Sequence, residues 1–282
     1  MIDFSKGGYQ GDTVEEMFKG FTEIHMPHYW YFREVLRASH LPSVYWKNVK
    51  GTTLGPKDKV ANDLVAISMM MYHVYTCLAE AISFYKVLEH ELGKLNSNGI
   101  RGFEVKKNWK ASYSSLYTSV NSMSNLLLVV AVDKPVLKPN KKGIVQNYSP
   151  KDAIDTFRQS IPLFANLISD CRKRLEIRNH LDHYWTIWTG IGQGIFLFDK
   201  DFSKGYVVTS PPVGGQSGVD ARIKLNEDIV NTAKDLDTLF LELSRPGGSL
   251  DKYLNTKGIV IDYSDYGVPH NGQRPRLEDQ AV

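Results

Sequence analysis

The sequence predicts a mainly α-helical protein, an up-down bundle of four to six helices with a small β-hairpin inserted near residues 195–210. Several long segments repeat apolar residues every three or four positions, as the buried face of a helix does. The chain has 282 residues, of which 42% are hydrophobic, so it can bury a substantial core. Because no single helix can bury its own apolar stripe, we expect these helices to pack together in one domain over 1–246.

The first predicted helices lie near the N-terminus and in the segment 60–92. Thr13 and Glu16 form a capping-box pattern ahead of an apolar-periodic stretch. Pro27 should end or kink that first helix, because proline cannot continue the helical hydrogen bonding. Residues from about 60 to 92 then show helical periodicity throughout.

The clearest helical pattern lies between residues 109 and 130, where the spacing alternates between four and three. The apolar residues of this stripe are Trp109, Tyr113, Leu116, Val120, Met123, Leu127 and Val130. Ser149 is a predicted N-cap for a further helix whose stripe continues to Leu175. Asn226 is predicted to cap a closing helix over about 226–245, and an irregular tail is expected over 247–282.

Cysteine usage, hydropathy and net charge indicate the compartment in which the protein works and the partners that it could bind. Cys77 and Cys171 each fall within a predicted helix, where a lone cysteine is usually buried, so we expect no disulfide and a reducing compartment. Neither a secretory signal nor an apolar run of membrane-spanning length is visible, which predicts a cytoplasmic protein without a membrane partner. The net charge of +3 is compatible with nucleic-acid binding but does not argue for it.

Arg178 interrupts the apolar stripe that runs to Leu175. A guanidinium in register with core residues is costly unless it is paired or lines a cavity. His183 follows five positions later, which places it about 140° around a regular helix from Arg178. The two side chains can therefore share a site only if the helix ends or bends near Asn179, or if each meets its counterpart in a partner chain.

The run from Arg178 to His183, Arg-Asn-His-Leu-Asp-His, resembles the arginine, polar residue and histidine motif of the HEPN superfamily. That family comprises helical-bundle domains, many of them metal-independent RNases of toxin–antitoxin and phage-defence systems, and some members keep the fold without cleaving RNA. The resemblance implies a HEPN-like core over about 57–190, with Arg178 and His183 as the catalytic pair and Asn179 at the polar position. Many toxin members carry a tyrosine two positions after the histidine, where this chain has Trp185.

The resemblance also implies partners and a mechanism. It points to a homodimer that brings two motifs to one cleft, to RNA as substrate, to an antitoxin or regulatory protein as a further partner, and to no cofactor. Histidine can exchange protons near neutral pH while the 2′-hydroxyl attacks the neighbouring phosphate, and arginine can stabilise the developing charge. The residues predicted to bind substrate are Arg172, Lys173, Arg174, His180 and Tyr184.

Two alternatives remain open at the level of sequence. In the first, Arg178 pairs with Asp182 or Glu176 in a structural cluster, and the protein is a non-catalytic helical module that binds RNA or a protein partner. In the second, a metal-dependent enzyme uses two His-x-x-His pairs, although no cysteine pair or carboxylate signature supports that site, and we predict no metal. The histidines of those pairs are His25, His28, His180 and His183.

Overall fold

The computed structural model describes residues 19–38, 59–98, 102–135, 137–140, 142–178, 186–189, 194–198, 205–209 and 221–257. Over these residues the protein is mainly α-helical, as the sequence predicts. The helices are α1 (Lys19–His25), α2 (Pro27–Ala38), α3 (Lys59–Asn98), α4 (Gly102–Val132), α5 (Pro150–Ser160), α6 (Pro162–Arg174), α7 (Ala221–Ser244) and α8 (Ser249–Thr256).

Short strands form two small antiparallel sheets. The first pairs β1 (Lys138–Pro139) with β2 (Val145–Gln146), within a segment that the sequence does not predict to contain strands. In the second, β3 (Thr186–Thr189), β4 (Gly194–Phe198) and β5 (Gly205–Thr209) follow one another in order. A hairpin is predicted near 195–210, but residues 199–204 between β4 and β5 lie outside the described residues, so that hairpin stays a prediction.

The described residues divide into two compact units. The first unit takes its residues from Met1–His73, Asn121–Leu167 and Lys234–Val282, and the second from Val74–Val120 and Ile168–Ala233. Helices α3, α4, α6 and α7 each contribute residues to both units.

In the first unit, α2 begins at Pro27, where the sequence predicts a break, and its N-terminus is held by Asp237 of α7. The backbone N–H groups of His28 and Tyr29 donate to Asp237 Oδ1 over 2.7 and 3.0 Å. The Nδ1 atom of His28 lies 2.7 Å from the other carboxylate oxygen. The first N–H groups of a helix have no hydrogen-bond partner within that helix. Asp237, although distant in sequence, therefore acts as the N-cap of α2.

Aromatic packing beside this contact extends the core of the first unit. The rings of Tyr29 and Phe32 lie 5.4 and 5.2 Å from the ring of Phe240, and all three side chains are fully buried. Aromatic pairs at such distances stabilise a core beyond the area that they bury. The N-terminus of α2 is therefore fixed by polar and apolar contacts to the same helix, α7.

The predicted helix from Ser149 to Leu175 is two helices, α5 and α6. Ser149 is the N-cap, as predicted, and it forms a capping box with Asp152. The break comes at Ile161, whose backbone is not helical (φ −141°, ψ 76°), because Pro162 disfavours the α conformation in the residue before it. The apolar period continues across the break, which is why the sequence suggests one helix.

Two further boundaries differ from the prediction. Helix α7 begins at Ala221, so Asn226 is an exposed residue within it and not its cap. The buried Leu225 shows that the apolar stripe starts earlier than the sequence analysis assumed. The predicted irregular tail over 247–282 is also wrong at its start, since α8 buries Leu250, Tyr253 and Leu254.

In the second unit, serine side chains join α3 to α4. Ser112 donates to the carbonyl oxygen of Ala81 over 2.8 Å, and Ser119 donates to that of Val74 over 2.7 Å. Both serines are fully buried, so their hydroxyl groups need these acceptors. Small side chains at this contact let the two helices approach closely.

The apolar stripe of α4 is buried along its whole predicted length. All seven of its predicted members, from Trp109 to Val130, are at most 3% exposed. The segment Lys107–Val132 is long and apolar enough to cross a membrane by length and composition, but 67% of its most apolar window is buried inside the protein. Cys77 and Cys171 are buried as well, as the sequence predicts.

The capping box of α5 gives a pH-dependent prediction. Burial alone would raise the pKa of Asp152, but hydrogen bonds from Lys138 and Ser149 outweigh it and lower the pKa to about 2. A lowered pKa means that this carboxylate stabilises the fold above pH 3.8, its unperturbed value, and that the contribution disappears as the pH falls towards about 2. Asp152→Ala should therefore lower the free energy of unfolding by about 1 kcal/mol at neutral pH.

Denaturant unfolding at several pH values measures this effect. The matched control is Asp155→Ala, since Asp155 lies in the same helix and forms an exposed ion pair with Arg158 at 3.3 Å. At neutral pH, Asp155→Ala should lower the free energy of unfolding by less than Asp152→Ala does. Equal losses for the two variants at every pH would contradict the role given to Asp152.

Candidate functional site

The chain turns immediately before the predicted site. Helix α6 ends at Arg174, residues 175–176 form a turn, and helical backbone resumes at Ile177. The N–H group of Arg178 donates to the carbonyl oxygen of Leu175 over 3.0 Å. This turn lies before Arg178, so it does not bear on whether the helix ends or bends between Arg178 and His183, which stays a prediction.

Much of the predicted motif lies outside the described residues. This applies to Asn179, His180, His183 and Tyr184, so the distance from Arg178 to His183 stays a prediction. Trp185 also lies outside them. Arg178 and the basic residues before it are the part of the predicted site that the structure describes.

Arg178 stacks on an aromatic ring of α4. Its guanidinium carbon lies 4.5 Å from the centroid of the Tyr117 ring. The side chain is half-buried, and the neighbouring Leu175 and Ile177 are only 2% and 3% exposed. A cation over the face of a tyrosine is stabilised by the negative charge density of the ring. This contact accounts for a guanidinium in register with a buried stripe.

The three predicted phosphate ligands of the basic run have different surroundings. Arg172 is exposed, and Lys173 is exposed and forms an ion pair with Asp170 at 3.3 Å. Arg174 is half-buried and donates through Nη1 to Thr232 Oγ1 over 3.2 Å. Arg174 therefore contacts α7, and Arg172 and Lys173 are the exposed cations of this run.

A buried carboxylate, Asp228, lies in the same unit. The Tyr113 hydroxyl donates to its Oδ2 atom over 2.7 Å, and Lys224 Nζ lies 2.5 and 2.6 Å from its two oxygens. Asp228 is 3% exposed, whereas Lys224 remains partly exposed. Sequence reasoning missed this cluster, although a charged residue between the buried Leu225 and Ile229 is the signal that could have revealed it.

Electrostatics connect the cluster to the segment that carries Arg178. Burial raises the pKa of Asp228, and the nearby Lys224, Tyr113 and Arg174 act in the opposite direction. Arg174 therefore interacts with the carboxylate and precedes Arg178 by four residues. The arrangement combines a buried acid with two cations, an environment of the kind that functional sites often share with structural ion pairs.

Comparison with known proteins adds no relative. No family model, curated protein or solved structure matches the chain. The case for a function must be made from the side chains themselves.

The histidines of the proposed metal site have other contacts where the structure describes them. His28 binds Asp237, and the His25 ring lies 4.6 Å from the ring of Phe21. Burial lowers the pKa of His25, and the positive charge of Lys234 lowers it further. Within the described ranges, no three His, Cys, Asp or Glu residues lie close enough together to hold a metal ion.

The raised pKa of Asp228 predicts how stability changes with pH. The neutral acid is favoured in the folded state, so its contribution is fully present below pH 3.8, the unperturbed value, and is lost as the pH rises through the higher folded pKa. Compared with Asp228→Asn, the wild-type protein should gain in melting temperature as the pH falls from neutral towards 3.8.

Thermal unfolding across that pH range tests the sign of the effect. Asp155→Asn is the control, because the Asp155 carboxylate is exposed. A difference between wild type and Asp228→Asn that grew as the pH rose would show that the ion pair with Lys224 outweighs burial.

Proposed function

We propose that this protein is a HEPN-like, metal-independent endoribonuclease. In this proposal His183 exchanges protons with the reacting hydroxyl groups, Arg178 stabilises the charge on the phosphate, and Asn179 positions the substrate. Two chains pair so that their motifs line one cleft. The setting is a cytoplasmic toxin–antitoxin or phage-defence system, with an antitoxin or regulatory protein as partner.

The observation that carries the proposal is the stack of Arg178 on Tyr117. A guanidinium held over an aromatic ring keeps N–H donors that can bind a phosphate, because it carries five of them. The half-buried environment strengthens charge-assisted hydrogen bonds by excluding water. Arg178 is thus an ordered cation at the start of the motif, as a charge stabiliser needs to be.

The reaction needs no group from outside the chain and its RNA. The substrate's 2′-hydroxyl loses its proton to His183 and attacks the adjacent phosphorus. The bond to the 5′-oxygen breaks, and that oxygen takes up a proton from a histidine, which leaves a 2′,3′-cyclic phosphate. Arginine binds the non-bridging oxygens as their negative charge increases.

A second function is favoured by the same contact. Stacking on Tyr117, together with Arg174 and the Asp228 cluster, is also what a purely structural arginine would show. In that case the protein is a non-catalytic helical module that binds RNA or a protein partner. Activity measurements on variants distinguish the two functions.

The first test uses the full chain and single-stranded RNA in the presence of a chelator. Wild-type protein should cleave the RNA, and mass spectrometry should find 2′,3′-cyclic phosphate ends. His183→Ala and Arg178→Ala should each lower the cleavage rate by about 10²–10³-fold. The control is Arg158→Ala, which removes an exposed cation of α5 that the proposal does not use and should cleave RNA at the wild-type rate.

The outcome decides between the two functions. No cleavage by wild type, or equal rates for wild type and His183→Ala, would exclude the ribonuclease. If wild type then bound RNA without cleaving it, the non-catalytic module would be favoured.

A second test asks whether Tyr117 positions Arg178. Tyr117→Phe keeps the ring and should retain a kcat close to wild type. Tyr117→Leu removes the ring face, and a misplaced guanidinium should lower kcat by about tenfold or more. Both variants should keep the circular dichroism of the wild type. Equal kcat values for the two variants would show that the stack does not orient the arginine.

A further inference from the structure

The segment between α4 and α5 concentrates positive charge in the first unit. Residues 132–148 contain four lysines and one aspartate, which gives a formal charge of +3. Lys138 is neutralised by an ion pair with Asp152 at 2.6 Å. In the part of the chain that the structure describes, Lys134 and Lys142 form no ion pair with a carboxylate. Their charges are available to an anionic partner.

Contacts with the protein hold two of these ammonium groups in place. Lys134 Nζ donates to Thr156 Oγ1 over 3.0 Å. The ammonium nitrogens of Lys134 and Lys138 lie 5.6 and 5.3 Å from the centroid of the Tyr148 ring. Asn125 fixes the backbone of Tyr148 by accepting from its N–H group and donating to its carbonyl oxygen. The charge of Lys134 is therefore ordered before any partner binds.

The turn between β1 and β2 is also well organised, and we call the described residues around it, 134–135, 137–140 and 142–146, the basic hairpin. Asn140 Oδ1 accepts from the backbone N–H groups of Lys142 and Ile144 over 2.8 and 3.0 Å. The N–H group of Asn140 donates to the carbonyl oxygen of Ile144 over 2.8 Å. Gly143 supplies the positive φ of +75° that the turn requires.

This hairpin exposes large apolar side chains near the lysines. Ile144 is 60% exposed, and Leu137, at the far end of the strand pair, is 44% exposed. Exposed aliphatic groups cost free energy in water, so a partner that covers them gains stability. Aliphatic side chains interleaved with lysines are typical of segments that bind the surface of an anionic membrane.

We propose that the basic hairpin binds the surface of an anionic phospholipid bilayer. Ile144 and Leu137 enter the headgroup region, and Lys134 and Lys142 approach the lipid phosphate and carboxylate groups. This contact is peripheral and requires no membrane-spanning helix. It does not depend on the proposed ribonuclease activity, which uses other residues.

The same lysines would also attract an RNA strand, but this surface offers RNA few other contacts. Proteins that bind single-stranded nucleic acid usually stack bases on exposed aromatic rings. Here the aromatic ring, Tyr148, is only 7% exposed, and the exposed groups are aliphatic. The chemistry of the hairpin therefore favours lipid over RNA.

Sedimentation of the full chain with vesicles tests the proposal. Wild type should bind vesicles that contain phosphatidylserine and should not bind vesicles of phosphatidylcholine alone. Lys142→Glu should weaken binding by about fivefold or more, because each basic residue near an anionic surface contributes about that factor. The matched control is Lys234→Glu, which changes an exposed lysine of α7 and should bind like wild type.

A second pair of variants tests the apolar contribution. Ile144→Ser should weaken vesicle binding by about tenfold, because less aliphatic surface would leave water. Ile223→Ser is the control, since Ile223 is also exposed (59%) but lies in α7. Circular dichroism should show that all four variants fold.

Three outcomes would overturn the proposal. The first is a wild-type protein that does not bind phosphatidylserine vesicles at low salt. The second is a loss of binding that is equal in the hairpin variants and their controls. The third is binding of a single-stranded RNA oligonucleotide that Lys142→Glu weakens while vesicle binding is unchanged, which would make the hairpin a nucleic-acid surface.

Discussion

Burial of the Asp228 carboxylate is the constraint on which the arrangement of the second unit depends. A carboxylate removed from water must be paired and hydrogen-bonded, or it is protonated. Its partners come from α4 through Tyr113, from α7 through Lys224, and electrostatically from α6 through Arg174. These contacts tie the three helices together at one level. Tyr117 lies one helical turn beyond Tyr113, so the same contacts also fix the position of the ring that Arg178 contacts.

The helices could largely be predicted because periodicity is a local property. The stripe of α4 is buried in full, and Ser149 begins α5 as the N-cap rule expects. The predicted boundaries are wrong where two local signals compete. Pro162 divides a continuous stripe into α5 and α6. Asp220, a residue type that favours helix N-caps, stands directly before Ala221 in the sequence, whereas the prediction took Asn226 as the cap.

Of the described residues in the candidate site, Arg178 could be predicted from the sequence, but the residues around it could not. Arg178 was visible because a guanidinium in an apolar register is an anomaly that one segment reveals by itself. Tyr117, whose ring contacts Arg178, and the buried Asp228 belong to other helices. The sequence of one helix does not show which residues of another helix will contact it. The basic hairpin escaped notice for a similar reason. A membrane-spanning helix is visible in a sequence as a long apolar run, whereas the exposure of Ile144 depends on a turn that Asn140 organises.

The contact of Asp237 with the start of α2 has a consequence for how the protein is made. Its donor and acceptor residues are 209 positions apart in the chain. During synthesis, the residues of α2 leave the ribosome long before Asp237 does. The N–H groups in the first turn of α2 therefore cannot bind the Asp237 carboxylate until late in translation. Contacts of such high sequence separation slow folding, because a long loop has to close before they form. The first unit therefore completes its core only after most of the chain has been translated.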